Sequence, residues 1–143
     1  MIQQTKIADI PWEDLAPGLK RHFEVLLTSE LLDRFVECSG DCNPIHVSAD
    51  EARSRGFRGR VAHGMLLGAL FSQFVGCHLP GRRSLLLSAN LKFHQPCFEG
   101  DLVCVEGKIE CLSIATRTVS LSVKFLVGGE QRGNAKALVV VQK

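Results

Sequence analysis

Nowhere does the chain hold an apolar run of about 18 residues, the length a membrane-spanning helix requires, so no membrane span is expected. The first thirty residues carry Asp9, Glu13 and Asp14 with two prolines, and no basic segment leads into an apolar stretch. No signal peptide is therefore expected, and a cytoplasmic location is. A long basic run is missing too: the net charge is +2, with 17 Lys and Arg against 15 Asp and Glu mixed along the chain. Without a row of cations to neutralise phosphates, nucleic acid is not an expected partner. The six cysteines include no CxxC pair and no metal-ligand spacing, which predicts reduced thiols and no metal site. Repeats and low-complexity stretches are absent.

What is present is an ordinary globular composition, 45% apolar and 22% charged over 143 residues, the size of one domain spanning residues 1–143. Residues 1–18 carry the breakers Pro11, Pro17 and Gly18 and read as an arm laid over the surface. Leu19 to Leu27 reads as a strand. Thr28 can cap a helix from Ser29 to about Cys38, with Leu31, Leu32, Phe35 and Val36 as its apolar stripe. Ser48 or Asp50 can start a short helix that stops near Gly56.

From Ala62 to about Cys77 the chain is apolar on nearly every side, which predicts a buried helix of about 24 Å. Gly64 and Gly68, one turn apart, would admit another backbone to one face of it. The last sixty residues read as four strands. Val119, Leu121, Val123 and Phe125 alternate with Ser120, Ser122 and Lys124, the period of an antiparallel sheet with one covered face. Turns are expected at Gly128-Gly129 and at Glu99-Gly100-Asp101. The layout is α+β, an antiparallel sheet of about five strands wrapping the apolar helix. An edge left exposed favours pairing with a second copy, so a homodimer or higher homo-oligomer is expected.

Two segments carry chemistry. In SGDCNPIH a short loop joins the carboxylate of Asp41 to the imidazole of His46, and Pro44 restricts the ways they can meet. One reading is an acid/base pair. The other is an Asx-turn, since Asp41 and Asn43 readily fold back on nearby N–H groups. The motif VAHGML lies at the start of the buried helix, where unpaired N–H groups and the helix dipole favour a developing negative charge. Gly64 lets a carbonyl approach that backbone without a Cβ in the way, as an oxyanion site needs. His63 reads either as a packing or capping residue or as part of the site.

The order and surroundings of these two motifs resemble the MaoC-like hydratases, specifically the R-specific enoyl-CoA hydratases, whose signature runs SGDxNPxH followed by a VxHGM-type helix start. The segment LFSQFVGCHLPGRRSLLLSANLKFHQPCFEGDLV is also similar to that family, although LLLSANLKF lacks a glutamine expected of many relatives. The resemblance implies a hot-dog fold and reversible hydration of a 2-enoyl, or dehydration of an (R)-3-hydroxyacyl, thioester. It implies Asp41 and His46 as acid/base residues, Asn43 as the residue that orders the loop, and Gly64 as the oxyanion donor. No cofactor is implied.

The acyl tail would run along the buried helix, with Leu67, Leu70, Phe71 and Phe74 as wall residues by helical spacing, and with His63 and Asn43 near the substrate. The carrier would be CoA or an acyl carrier protein, its phosphate met by Arg58, Arg60, Arg82, Arg83 or Lys92. The cluster Arg53, Arg55, Arg58 and Arg60 fits one phosphorylated ligand or a solvated face. Thioester hydrolysis and a non-catalytic acyl-thioester binding role stay open as alternatives.

Overall fold

The computed structural model describes residues 5–143, so the first four residues of the expected arm lie outside the described residues. The rest of the arm is pinned where its backbone meets the far end of the buried helix. The Ala8 N–H donates to the Cys77 carbonyl at 2.8 Å, and the Ala8 carbonyl accepts from Arg82 N at 2.9 Å. A 3-10 turn at Trp12–Asp14 follows.

Strand β1 (Lys20–Leu26) leads into α1 (Ser29–Ser39). Thr28 caps α1 as expected, its hydroxyl accepting from Leu31 N at 3.1 Å, and Leu32 of the apolar stripe is fully buried. Gly40 closes the helix at φ 73°, a left-handed stop that costs a residue without Cβ little.

The signature loop contains an element that its sequence does not announce: α2 (Pro44–Val47), a single helical turn. Pro44 sits in its first turn, where a missing N–H costs nothing, and Asn43 Oδ1 accepts from Ile45 N at 3.4 Å. Then α3 (Ala49–Ser54) starts on Ser48, whose hydroxyl accepts from Glu51 N at 3.2 Å.

The buried helix is shorter at its start than the expected Ala62–Cys77. Ala62 N–H is committed to the Cys97 carbonyl at 2.8 Å, and Val61 forms an extended bridge with Phe98. The chain turns helical only after His63, giving α4 (Gly64–Gln73), which widens into a π-helical turn at Phe74–His78.

Four strands complete the fold: β2 (Ser84–Phe93), β3 (Leu102–Ser113), β4 (Thr118–Val127) and β5 (Glu130–Val141). All neighbours are antiparallel, in the order β1-β3-β4-β5-β2, which leaves β1 and β2 at the edges. Gly128 and Gly129 turn β4 into β5 at φ 58° and 81°.

The alternation read from β4 is present: Val119, Leu121, Val123 and Phe125 are buried against the helix. They share the core with Leu66, Leu67, Leu70, Phe71 and Phe74, each such side chain contributing about 1.5–3 kcal/mol by leaving water. Gly107 on β3 brings the two layers together, since a Cβ there would lie 2.5 Å from Phe74 Cζ.

The expectation that Gly64 and Gly68 admit another backbone is corrected. Side chains of β2 and of α4 itself take that space: a Cβ on Gly64 would touch the Phe93 ring at 3.4 Å, and one on Gly68 would meet Met65 Cε at 3.1 Å and Leu91 Cδ2 at 3.6 Å. No helix among the described residues is long and apolar enough to cross a membrane.

Candidate active site

A small second cluster, Ala52, Val61 and Phe98 with Ile45 and Phe57 packed against it, fastens α2 and α3 over the start of α4. This brings the signature loop onto VAHGML. Asp41 is shaped by three hydrogen bonds. Its N–H donates to Ser39 Oγ at 3.1 Å, its Oδ1 accepts from Asn43 N at 3.1 Å, and its carbonyl accepts from His63 Nε2 at 2.8 Å. The Asx-turn and the acid/base reading are thus compatible, because Oδ1 makes the turn and Oδ2 is left over.

That free oxygen faces His46 Nε2 at 4.0 Å and His63 Nε2 at 3.9 Å. His46 Nδ1 lies 2.8 Å from the Val61 carbonyl. A carbonyl only accepts, so Nδ1 carries the hydrogen, and in the neutral ring Nε2 holds the lone pair toward Asp41. The two imidazoles stack with centroids 3.9 Å apart and planes 24° apart, and the Phe35 ring of α1 lies 4.9 Å from His63.

Beside this group lies a cleft of about 270 Å³ lined by His46, Val61, Ala62, His63, Gly64, Leu67 and the segment Phe93–Cys97. Gly64 opens α4 at its rim, and among the described residues its N–H has no hydrogen-bond acceptor. Unsatisfied N–H groups at a helix start form a site for partial negative charge.

Leu67 reaches the cleft, whereas Phe71, one turn deeper, is 2% exposed in the main core and does not line it. Leu70 and Phe74 likewise belong to the core. Asn43 turns its side chain back to cap α2.

Asp41, His46 and His63 bring three ligand-type atoms within 4.8 Å of one another, near enough for a shared metal ion. The set fits one poorly. His63 Nε2 carries its hydrogen to a carbonyl and has no lone pair to give, and stacked rings direct their lone pairs side by side instead of onto one point.

The basic residues divide in a way that the sequence conceals. Arg60 is 7% exposed and internal. Its Nε donates to the His46 carbonyl, Nη1 to Ser29 Oγ at 3.2 Å and Nη2 to Asp33 Oδ1 at 2.6 Å. It cannot meet a carrier phosphate. Arg58 pairs with Asp101 over the Phe98 ring, Arg83 with Asp9, Arg53 with Asp50 and Arg55 with Glu51. Among the described residues Arg82 and Lys92 have no acidic partner. Three contributors escaped the sequence: the Val61 carbonyl, Arg60 as an anchor of His46, and Phe93 against Gly64. A main-chain acceptor leaves no residue signature, and the other two depend on neighbours far along the chain.

The family model of the MaoC like domain matches residues 15–126. The chain belongs to the MaoC-like family. Within it, this sequence is 37% identical over 131 residues to the (R)-specific enoyl-CoA hydratase of Aeromonas caviae, covering 89% of this chain and 96% of that protein. It is 35% identical over 132 residues to the 3-hydroxybutyryl-CoA dehydratase of Methylorubrum extorquens, covering 92% and 84%. The fold is that of the unliganded R-hydratase of Pseudomonas aeruginosa, with a TM-score of 0.89, 30% identity, and 94% and 86% of the two chains covered. The hot-dog architecture of these MaoC-like hydratases is the one described above.

Proposed function

We propose that the protein is a hydro-lyase that reversibly hydrates a 2-enoyl thioester to a 3-hydroxyacyl thioester. MaoC-like membership and relatives named as enoyl-CoA hydratase and 3-hydroxybutyryl-CoA dehydratase support the reaction class. The observation that carries the residue assignment is the 4.0 Å gap between Asp41 Oδ2 and His46 Nε2 beside the cleft. An oxygen bonded to both at about 2.8 Å would subtend about 90°, close to what a water's two hydrogens require.

In this reading the thioester carbonyl accepts from the Gly64 N–H, which draws charge onto its oxygen and leaves C3 electrophilic. Water held by Asp41 and His46 adds through oxygen to C3. One proton passes from it to the pair, and the electrons of the double bond move to C2 and the carbonyl. The pair then returns one proton to C2, restoring its own state. Dehydration is the reverse, and the family analogy implies the R configuration at C3.

The proposed assembly is a homodimer. Leu85, Leu86 and Leu87 are exposed on the free edge strand β2, with Phe93 further along it and Met65 exposed on α4. A long apolar edge favours pairing with a second copy, which would also border the cleft through Phe93. For the carrier, CoA or acyl carrier protein, Arg82 follows the far end of the helix, and Lys92 neighbours the cleft-lining Phe93 along β2 with its side chain on the opposite face of the strand.

Incubation with a short 2-enoyl-CoA tests the reading. Loss of the enoyl absorbance with formation of a 3-hydroxyacyl-CoA is expected, together with a dimeric mass in sedimentation. Release of free CoA thiol without hydroxyacyl product would establish hydrolysis in its place.

A further inference from the structure

We infer that His63 is a positioning residue that fixes Asp41 and His46 relative to one another, acting through them and making no polar contact with substrate. The inference rests on the acid/base reading above and departs from the sequence expectation of a substrate-binding His63. His63 is 3% exposed although it borders the cleft. Its Nε2–H is committed to the main-chain carbonyl of Asp41 at 2.8 Å, and its Nδ1 is buried with no partner among the described residues. Neither nitrogen is available to a ligand.

What the ring does touch is the proposed machinery. Through Nε2 it ties α4's first turn to the backbone of Asp41, 22 residues earlier. Through its face it supports His46 at 3.9 Å, so that the His46 ring can turn about its Val61 hydrogen bond only by losing that stack. Phe35 also packs on His63, its ring tilted by 59° at 4.9 Å. The contacts of His63 with His46 and with Asp41 thus meet at one side chain. A fixed gap between carboxylate and imidazole therefore depends on His63, and displacement of a reacting group by about 1 Å costs on the order of 100-fold in rate.

Two variants separate the ring from the N–H. His63→Phe keeps a stacking face and lacks the donor, while His63→Gln places an amide N–H at about the reach of Nε2 and lacks the ring. Hydrogen exchange of the amides in residues 40–48 and steady-state turnover of a 2-enoyl-CoA are measured on parent and both variants. Melting temperature confirms that each variant folds, and His63→Gln carries the test if His63→Phe does not.

Positioning predicts that exchange in residues 40–48 quickens about tenfold in His63→Phe and less in His63→Gln. It also predicts that kcat falls about 100-fold and about 10-fold respectively, with KM within about threefold of the parent. A raised KM with kcat retained would make His63 a substrate contact and overturn the inference. Exchange that stays at the parental rate would also overturn it, whatever the activity. A parent that hydrates no enoyl-CoA overturns the functional reading alone, because the exchange comparison still decides whether His63 holds Asp41.

Discussion

His46 and Val61 meet where the imidazole Nδ1–H donates to the main-chain carbonyl at 2.8 Å, and this one bond decides which nitrogen of His46 is left for chemistry. Asparagine at position 46 would place an amide N–H close to where Nδ1 lies, keeping the bond to Val61 while removing the Nε2 lone pair. His46→Asn should therefore fold with a melting temperature near the parent's and lose about 100-fold or more in kcat. Asp41→Asn retains an oxygen to accept from Asn43 N and should fall by a similar factor. Initial rates on a short 2-enoyl-CoA check both, and turnover within a few-fold of the parent would remove the pair from the mechanism.

Gly64→Ala separates stability from activity. The new Cβ would rest on the Phe93 ring at 3.4 Å, an ordinary contact, and alanine is the better helix former by about 1 kcal/mol in a helix interior. The melting temperature should hold or rise slightly. Catalysis should drop about tenfold or more in kcat/KM, because the Cβ stands where the thioester carbonyl approaches the helix start.

Gly107→Ala should do the opposite. Its Cβ would fall 2.5 Å from Phe74 Cζ and 2.9 Å from Val123 Cγ2, inside the packed layer between helix and sheet. Overpacking of this kind costs about 1–3 kcal/mol. Urea unfolding should show a lower midpoint with unchanged slope, and activity below the transition should be retained.

His78 makes stability depend on pH. It stacks on Phe23 at 4.5 Å, its Nε2 is buried without a partner among the described residues, and burial holds its pKa below the ordinary 6.5. The unfolded chain takes up a proton near pH 6.5 that the folded chain refuses until a lower pH. The unfolded state thus binds more protons across that window, and the His78 contribution to stability is full above it and lost as pH falls through it. Melting curves from pH 8 to 5 should decline less for His78→Phe than for the parent.

Where a residue's surroundings follow from its own strand, the sequence was informative. Val119 to Phe125 alternate because one sheet face is covered, and Thr28 and Gly40 bound α1 by local hydrogen bonds and dihedral freedom. The approach of Asp41 to His46 was legible only as a constellation. Features set by distant neighbours were not legible. Ala62 and His63 carry helical patterning, yet the hydrogen bond from Ala62 to Cys97 holds that segment extended. Arg60 looks like its arginine neighbours until Asp33 and the His46 carbonyl enclose it. Leu67 and Phe71 lie on one face of a helix that is apolar all round, so nothing local says which of them meets the cleft.

Cys97 poses a chemical problem that the fold resolves. It lines the cleft in which an enoyl thioester, an acceptor for thiolates, would bind. Burial first, and then the nearby Asp101 carboxylate, push its thiol up to about 11, outweighing Arg132 and Arg58. At pH 7 on the order of one such thiol in ten thousand is ionised, and the thiolate is the reactive form. Cys38, Cys42 and Cys111 are exposed. Iodoacetamide at pH 8 should label these three and leave Cys97 largely unmodified until denaturant is added, as peptide mapping would read. Prolonged exposure to a 2-enoyl-CoA should produce no adduct at Cys97. Rapid labelling of Cys97 in the folded protein would mean that its side chain is open to solvent and ionises far more readily than its enclosure implies.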